Sequence, residues 1–376
     1  GHIGDMVSIE TIFSFKNLLK KIGCNNFDFR EKNFYIDPSE KTNYIFNSSI
    51  QGIEESDLIL LIGTNPRHEA TMVNARIRKA SIKNKTPVYS IGNPEDLTYN
   101  YTLLGDDVND ISNIFDEKSE ISKKLKTVKK PIFIIGESVL ELKNSRYILE
   151  KTKNFLIDNN FINENWNGLN ILTQNASTVG AIDLGFYNIN KNNNFTFFDK
   201  LKNKEFKLLY LVGSDNLEIK KNDEFIIYQG SHGDKNASIA DVILPCAAYT
   251  EQNGLFENLE GRIQECKKAS YPTNESLEDW KIFNLINNYL YNSNLFSDFV
   301  SIRKLALQEI PNFSEIDLLP KTIKSTKTNT LLDSSSEKIK IKAIDYYFSN
   351  SIARASKTMS DCRNISIDNK KNGTNS

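Results

Sequence analysis

Residues 57–80 read DLILLIGTNPRHEATMVNARIRKA. Five apolar residues, Leu58 to Ile62, stand in a row without alternation, which is how a strand buried on both faces reads. Gly63-Thr64-Asn65-Pro66 breaks the run and a helical pattern follows. Asn65 is placed to cap that helix and Pro66 to begin it. A parallel strand ending in such a turn aims the free N–H groups of the next helix at the space above the sheet. In open α/β folds that space is where a phosphate or nucleotide sits.

The same grammar recurs along the chain. Residues 131–135 (PIFII) are followed by Gly136-Glu137-Ser138, residues 208–212 (LLYLV) by Gly213-Ser214-Asp215, and residues 225–228 (FIIY) by QGSHG. Residues 241–245 (DVILP) and 87–91 (PVYSI) fit the scheme more weakly. Helical patterns lie between them: residues 69–83, with Met72, Val73, Ala75, Ile77 and Ala80 near one face; residues 138–157; and residues 277–291, where Ser276 with Asp279 resembles a capping box. Strands alternating with helices predict right-handed crossovers and an α/β fold of mostly parallel sheets with flanking helices. The charged stretch 117–130 reads as a boundary, giving a first α/β subdomain over residues 1–125 and a second over 126–320. Residues 321–342, rich in Ser, Thr and Lys, read as a connector. An irregular C-terminal extension, 321–376, ends in a polar tail from residue 361.

Composition narrows the chemistry. The 376 residues carry 47 Lys and Arg against 48 Asp and Glu, a balance without the basic excess that draws a protein to nucleic acid or anionic membranes. No run approaches the ~18 apolar residues of a membrane-spanning helix. The 4 cysteines, Cys24, Cys246, Cys266 and Cys362, are scattered, without the close spacing of a zinc site or iron–sulfur cluster. They read as reduced, mostly buried thiols. The 3 histidines are His2, His68 and His232, which leaves few candidates for a Ser–His–Asp hydrolase. The start at Gly1 lacks the basic stretch and apolar core of a signal peptide and reads as a mature, processed or truncated chain. Abundant Asn, Lys and Ile reflect a nucleotide bias such as organelle genomes carry.

Three segments could carry chemistry, and each has a plainer alternative. The Gly63–Arg67 turn could cradle an anion, with Arg67 as counter-charge; equally, it is a strand–helix corner capped by Asn65. His232, between glycines, could act as acid, base or ligand, or simply bond to neighbouring backbone. In residues 240–262, ADVILPCAAYTEQNGLFENLEGR, Asn258, Glu260 and Arg262 bring amide, carboxylate and guanidinium together. Arg262 could grip a carboxylate or phosphate, or pair with Glu260 to hold a long loop against the sheet.

Taken together, GTNPRHEATMVNARIRKA and IADVILPCAAYTEQNGLFENLEGRIQECKKA resemble the 75-kDa iron–sulfur subunit of respiratory complex I, in its C-terminal, molybdopterin-oxidoreductase-like region. GHIGDMVSIE, PEDLTYNYTLLGD, FIIYQGSHGD, LEDWKIF and SIARASKTM fit the same region in order. The resemblance implies the α/β architecture of molybdenum-cofactor oxidoreductases. It makes Gly63, Thr64, Asn65, Arg67, Asn258, Glu260 and Arg262 the remnants of a pterin-dinucleotide pocket, with no cofactor on this chain. It places the iron–sulfur clusters on an N-terminal partner region or chain with closely spaced cysteines. The chain is then a split-gene product or the C-terminal portion of a longer polypeptide.

The implied role is structural. The chain would pack beside the cluster-bearing part, the flavoprotein and other peripheral-arm subunits, while the enzyme passes electrons from NADH to ubiquinone. The implied place is the matrix side of the mitochondrial inner membrane, or the cytoplasmic side of a bacterial one, with no span of its own. Two rivals stand beside it. One is a molybdopterin-dependent oxidoreductase domain that keeps its cofactor, and the other is a free-standing nucleotide-binding protein.

Overall fold

Leu58–Ile62 lies at the centre of a five-stranded parallel sheet, and all five of its side chains are buried. Each such side chain contributes roughly 1.5–3 kcal/mol by leaving water. The computed structural model describes residues 1–116, 119–190, 194–320, 325–328, 334–342 and 344–371. Among these, the strands in chain order are β1 (His2–Ile3), β2 (Leu58–Ile62), β3 (Val88–Ile91), β4 (Thr102–Gly105), β5 (Pro131–Gly136), β6 (Leu169–Leu172), β7 (Leu208–Val212), β8 (Phe225–Gly230), β9 (Val242–Pro245), β10 (Gly254–Glu257) and β11 (Ile263–Cys266). The first sheet has the order β4-β3-β2-β5-β6 and the second β1-β7-β8-β9, every pairing in both being parallel; β10 and β11 form an antiparallel hairpin.

All six apolar runs identified in the sequence become strands, and all belong to parallel sheets. Their division into subdomains differs from the expectation. The boundary at residues 125/126 falls inside the first sheet, because β5 pairs directly with β2 from Leu58↔Pro131 to Ile62↔Ile135. The extreme N-terminus joins the second sheet, with His2↔Leu211 and Ile3↔Val212. Linear charge marks where the chain is solvated; it does not mark which strands pair. β1, β4 and β6 are too short or too polar to announce themselves: β6 is LNIL, and its Asn170 is fully buried because its side chain exchanges bonds with Ser48.

The helices are shorter than the periodicity suggested. Residues 69–83 divide into Pro66–Glu69 and Thr71–Lys83, separated by Ala70 at φ −153°. Val73, Ile77 and Ala80 face the core, while Met72 is 67% exposed. Residues 138–157 divide into Glu137–Leu140 and Ser145–Asp158. The helix expected from residue 277 is Asp279–Tyr291, and Ser276 bonds back to the Thr273 carbonyl (2.5 Å) without capping it. The C-terminal tail is helical at Ser351–Ala355 and Lys357–Lys371; residues 372–376 and parts of the 321–342 connector lie outside the described residues.

One large apolar cluster joins the two sheets. The helix Ile9–Lys21 is central to it: Phe15 stacks on Phe283 and Phe186 and meets Tyr210 of β7 edge-on. Both sheets therefore share one core.

Candidate functional site

At the end of β2 the chain turns through Gly63, whose φ of +59° is left-handed. A Cβ there would lie 1.9 Å from Val139 Cγ2 and 3.2 Å from Ile339 Cγ2, so only glycine fits. Thr64 is completely buried. Its hydroxyl donates to Glu69 Oε2 (2.7 Å), and the Asn65 backbone N–H donates to Glu69 Oε1 (2.9 Å). The Asn65 side chain caps the short helix by accepting from the His68 N–H (3.3 Å), and its amide donates to the Pro94 carbonyl (2.7 Å). The donors that a phosphate would meet at this corner thus serve Glu69, a carboxylate of the same chain. Burial raises the Glu69 pKa against the pull of those two bonds. Arg67 points away and pairs with Asp96 (2.5 Å), both side chains being substantially exposed.

Asn258, Glu260 and Arg262 form the tight turn between β10 and β11. The Asn258 side-chain oxygen accepts from the Glu260 and Arg262 N–H groups (2.9 and 3.0 Å), and Gly261 adopts φ +76°. Buried Glu260 accepts from the Ile50 N–H (2.7 Å), and the Leu259 carbonyl accepts from the Phe46 N–H (2.7 Å). Arg262 Nε lies 3.7 Å from Glu260 Oε2, and its Nη1 donates to the Asp317 carbonyl (3.1 Å). The loop clamps residues 46–50 on one side and 317 on the other. Behind it, Lys41 sits between Asp183 and Glu257 at 2.5 Å from each, and Tyr44 donates to Asp183 (2.6 Å). The hairpin is thereby anchored to the N-terminal third of the chain.

The two motifs share the lining of a cleft of about 1120 Å³, to which the first contributes His68 and Glu69 and the second Asn258 and Leu259. Of the seven residues singled out in the sequence, only Asn258 lines this cleft; Gly63, Thr64, Asn65, Arg67, Glu260 and Arg262 do not. Sequence reading missed the acids on its walls: Asp345 from the C-terminal extension and, from the sheet-bearing part, Asp5, Glu31, Glu69 and Glu137, with Lys32 among them. Burial pushes Glu137 up to about 7, opposed by the bond it accepts from the Gln174 N–H (2.9 Å) and by Lys32. Burial also raises Glu31, as does nearby Asp5, while Asn216 opposes the shift. Asp5 is raised by burial too, with Arg354 opposing. No spacing rule could have found these acids, because they come from separate segments.

His2 and His232 take structural places, whereas His68 lines the cleft. His2 is buried between Ser214 Oγ (2.7 Å) and the Arg30 carbonyl (2.8 Å), and burial lowers its pKa to about 4. His232 contacts Ser231 Oγ (3.0 Å), and its carbonyl accepts from Tyr228 (3.1 Å). The four thiols are free and, among the described residues, no group of three or more His, Cys, Asp or Glu side chains is arranged to hold a metal.

Two parallel sheets with glycine corners after β2 and β7 form the architecture of the molybdopterin oxidoreductase class. The family model for molybdopterin oxidoreductase matches residues 1–289, and the chain belongs to that family. Residues 312–362 match a second model, the C-terminal domain of the G subunit of NADH-ubiquinone oxidoreductase. Among curated proteins the chain is similar to the NADH-ubiquinone oxidoreductase 75 kDa subunit of Reclinomonas americana, 35% identical over 97% of this chain and 55% of that protein. It is also similar to the G subunit of NADH-quinone oxidoreductase of Rickettsia bellii, 36% identical over 96% and 51%, and to the mitochondrial NADH-ubiquinone oxidoreductase 78 kDa subunit of Candida albicans, 36% identical over 96% and 50%. The chain thus spans about half the length of these relatives. Among solved structures, a chain of the formyltransferase/hydrolase complex from Methylorubrum extorquens shares the fold at a TM-score of 0.55 and 14% identity, over 77% of this chain and 90% of that one.

Proposed function

We propose that this chain is the C-terminal part of the 75-kDa subunit of respiratory complex I, the enzyme that passes electrons from NADH to ubiquinone. Its own role is structural. The observation that carries this reading is alignment over nearly the whole chain with 75-kDa and 78-kDa subunits and their bacterial counterpart, about half of whose length lies outside the match. The iron–sulfur clusters belong to that other half, whether on a separate polypeptide or on the same one. The natural partners are the cluster-bearing part, the flavoprotein and the other subunits of the peripheral arm. Its proposed place is the inner membrane, with no span of its own; separately, no helix among the described residues is long and apolar enough to cross a membrane. The mitochondrial matrix side is the place we favour, with the cytoplasmic side of a bacterial membrane as the alternative.

The residues at the corner do not fit a pterin dinucleotide. A pyrophosphate there would displace Glu69 from Thr64 and Asn65 and would face Glu137 as well. An anion there would have to displace these carboxyls or hold them protonated, raising further the pKa values that burial has already raised. Arg67, the expected counter-charge, is engaged with Asp96 on the outer side. These contacts support a corner inherited from the family whose donors now serve Glu69, beside the open cleft.

Purification of the chain at native abundance from its source tests this assignment. The expected result is stoichiometric recovery with polypeptides carrying closely spaced cysteine motifs and NADH-oxidising activity. Migration as an isolated 42.9-kDa monomer would contradict it and favour a free-standing nucleotide-binding protein.

A further inference from the structure

The described residues 334–342 and 344–355 of the C-terminal extension reach both glycine corners. Ile339, 3% exposed, covers the first: its Cγ2 lies 3.2 Å from where a Gly63 Cβ would be and 2.9 Å from that of Gly92. Backbone bonds fix this half, from the Val108 N–H to the Glu337 carbonyl (3.0 Å) and from the Ile339 N–H to the Asp106 carbonyl (2.7 Å). The Glu337 carboxylate adds bonds from the Asn144 backbone (3.2 Å) and side chain (2.7 Å). Farther on, the extension reaches the corner after β7, Gly213-Ser214-Asp215. Ser351 shares a small cavity with Asp215, Arg354 pairs with Asp234, and Arg354 Nη1 donates to the Phe348 carbonyl (3.0 Å). Asn350 and Ile352 line the cleft beside Asp5.

The two halves are held differently. The first is seated by a buried isoleucine and backbone pairing, whereas the second rests on side-chain contacts to carboxylates. We propose that residues 334–342 and 344–355 form an intramolecular strap over both corners, with a fixed end at Ile339 and a releasable end latched by Arg354. Releasing Arg354 from Asp234 opens the second corner and leaves the first closed. The strap stands on its own contacts and does not depend on the proposed role in complex I.

Hydrogen–deuterium exchange of the full chain tests it. In Arg354→Glu, amides of residues 214–216 and 346–355 exchange about tenfold faster or more, while Val108, Ile339 and β2 keep their protection. Arg354→Lys, which preserves the charge, stays within about twofold of the parent. Unchanged exchange in Arg354→Glu would overturn the latch. Loss of protection in β2 as well would also overturn it, because Arg354 would then be supporting the whole fold.

Discussion

The corners after β2 and β7 are built on one plan and completed in two ways. Each follows a buried parallel strand, turns on a glycine with φ of +59° or +58°, and places a fully buried hydroxyl next, Thr64 or Ser214. At the first, the polar groups are met locally: Glu69, five residues on, takes the Thr64 hydroxyl and the Asn65 N–H, and Ile339 of the C-terminal extension packs over Gly63. At the second, closure comes from afar. Ser214 bonds to His2 (2.7 Å), Asp215 accepts from Tyr228 (2.5 Å), and residues 350–354 arrive from the other end of the chain. A glycine corner in this fold is therefore a place that something must fill, and what fills it need not be a ligand.

The severest way to break the comparison is to remove the sheet beneath the first corner. Leu60→Asp puts a carboxylate at a completely buried position in the central strand, with a cost on the order of 5 kcal/mol or more. Circular dichroism and solubility should report no folded protein, and normal accumulation would contradict the central-strand assignment. Next come the glycines themselves. Gly63→Ala meets Val139 at 1.9 Å and should cost about 3 kcal/mol or more, whereas Gly213→Ala, whose nearest neighbour is Val7 at 3.4 Å, should cost only the ~1 kcal/mol of left-handed backbone. Equal denaturation midpoints for the two variants would erase the distinction.

A smaller effect separates the acids of the cleft by pH. The Glu137 pKa is raised in the fold from 4.5 to about 7, so the folded state binds more protons than the unfolded state between these values. Stability from this group is therefore present in full below about 4.5 and declines as pH rises through about 7. Glu137→Gln should stabilise the chain by about 2 kcal/mol at pH 8 and hardly at all at pH 4, as urea melts at the two pH values would reveal. Arg262→Ala should cost about 1 kcal/mol, because it loses the Asp317 bond but only a long contact to Glu260. It should leave NADH oxidation by an assembled complex intact. Arg67→Ala removes an exposed pair and should shift stability by less than about 0.5 kcal/mol.

The parallel sheets were legible because strands buried on both faces leave unbroken apolar runs, as at Leu58–Ile62 and residues 131–135. The capping role of Asn65 was legible for the same reason: it is settled within four residues. The acids of the cleft were not. Asp5, Glu31, Glu69 and Glu137 gain their character from burial beside one another, and burial of a carboxylate leaves no local pattern. Nor could the division of strands be read, since the pairing of His2 with Leu211 spans most of the chain. Arg262 illustrates an intermediate case: the sequence placed it beside Glu260, and the fold made the Ile50 backbone that glutamate's closer partner.

The most direct test of the central claim is the pterin and molybdenum content of the assembly purified through this chain, read by oxidation to fluorescent pterin and by metal analysis. If Glu69 fills the first corner and the chain is a structural part of the peripheral arm, the assembly oxidises NADH and releases no stoichiometric pterin. One pterin and one metal per chain would contradict the account and make this a working molybdopterin oxidoreductase domain.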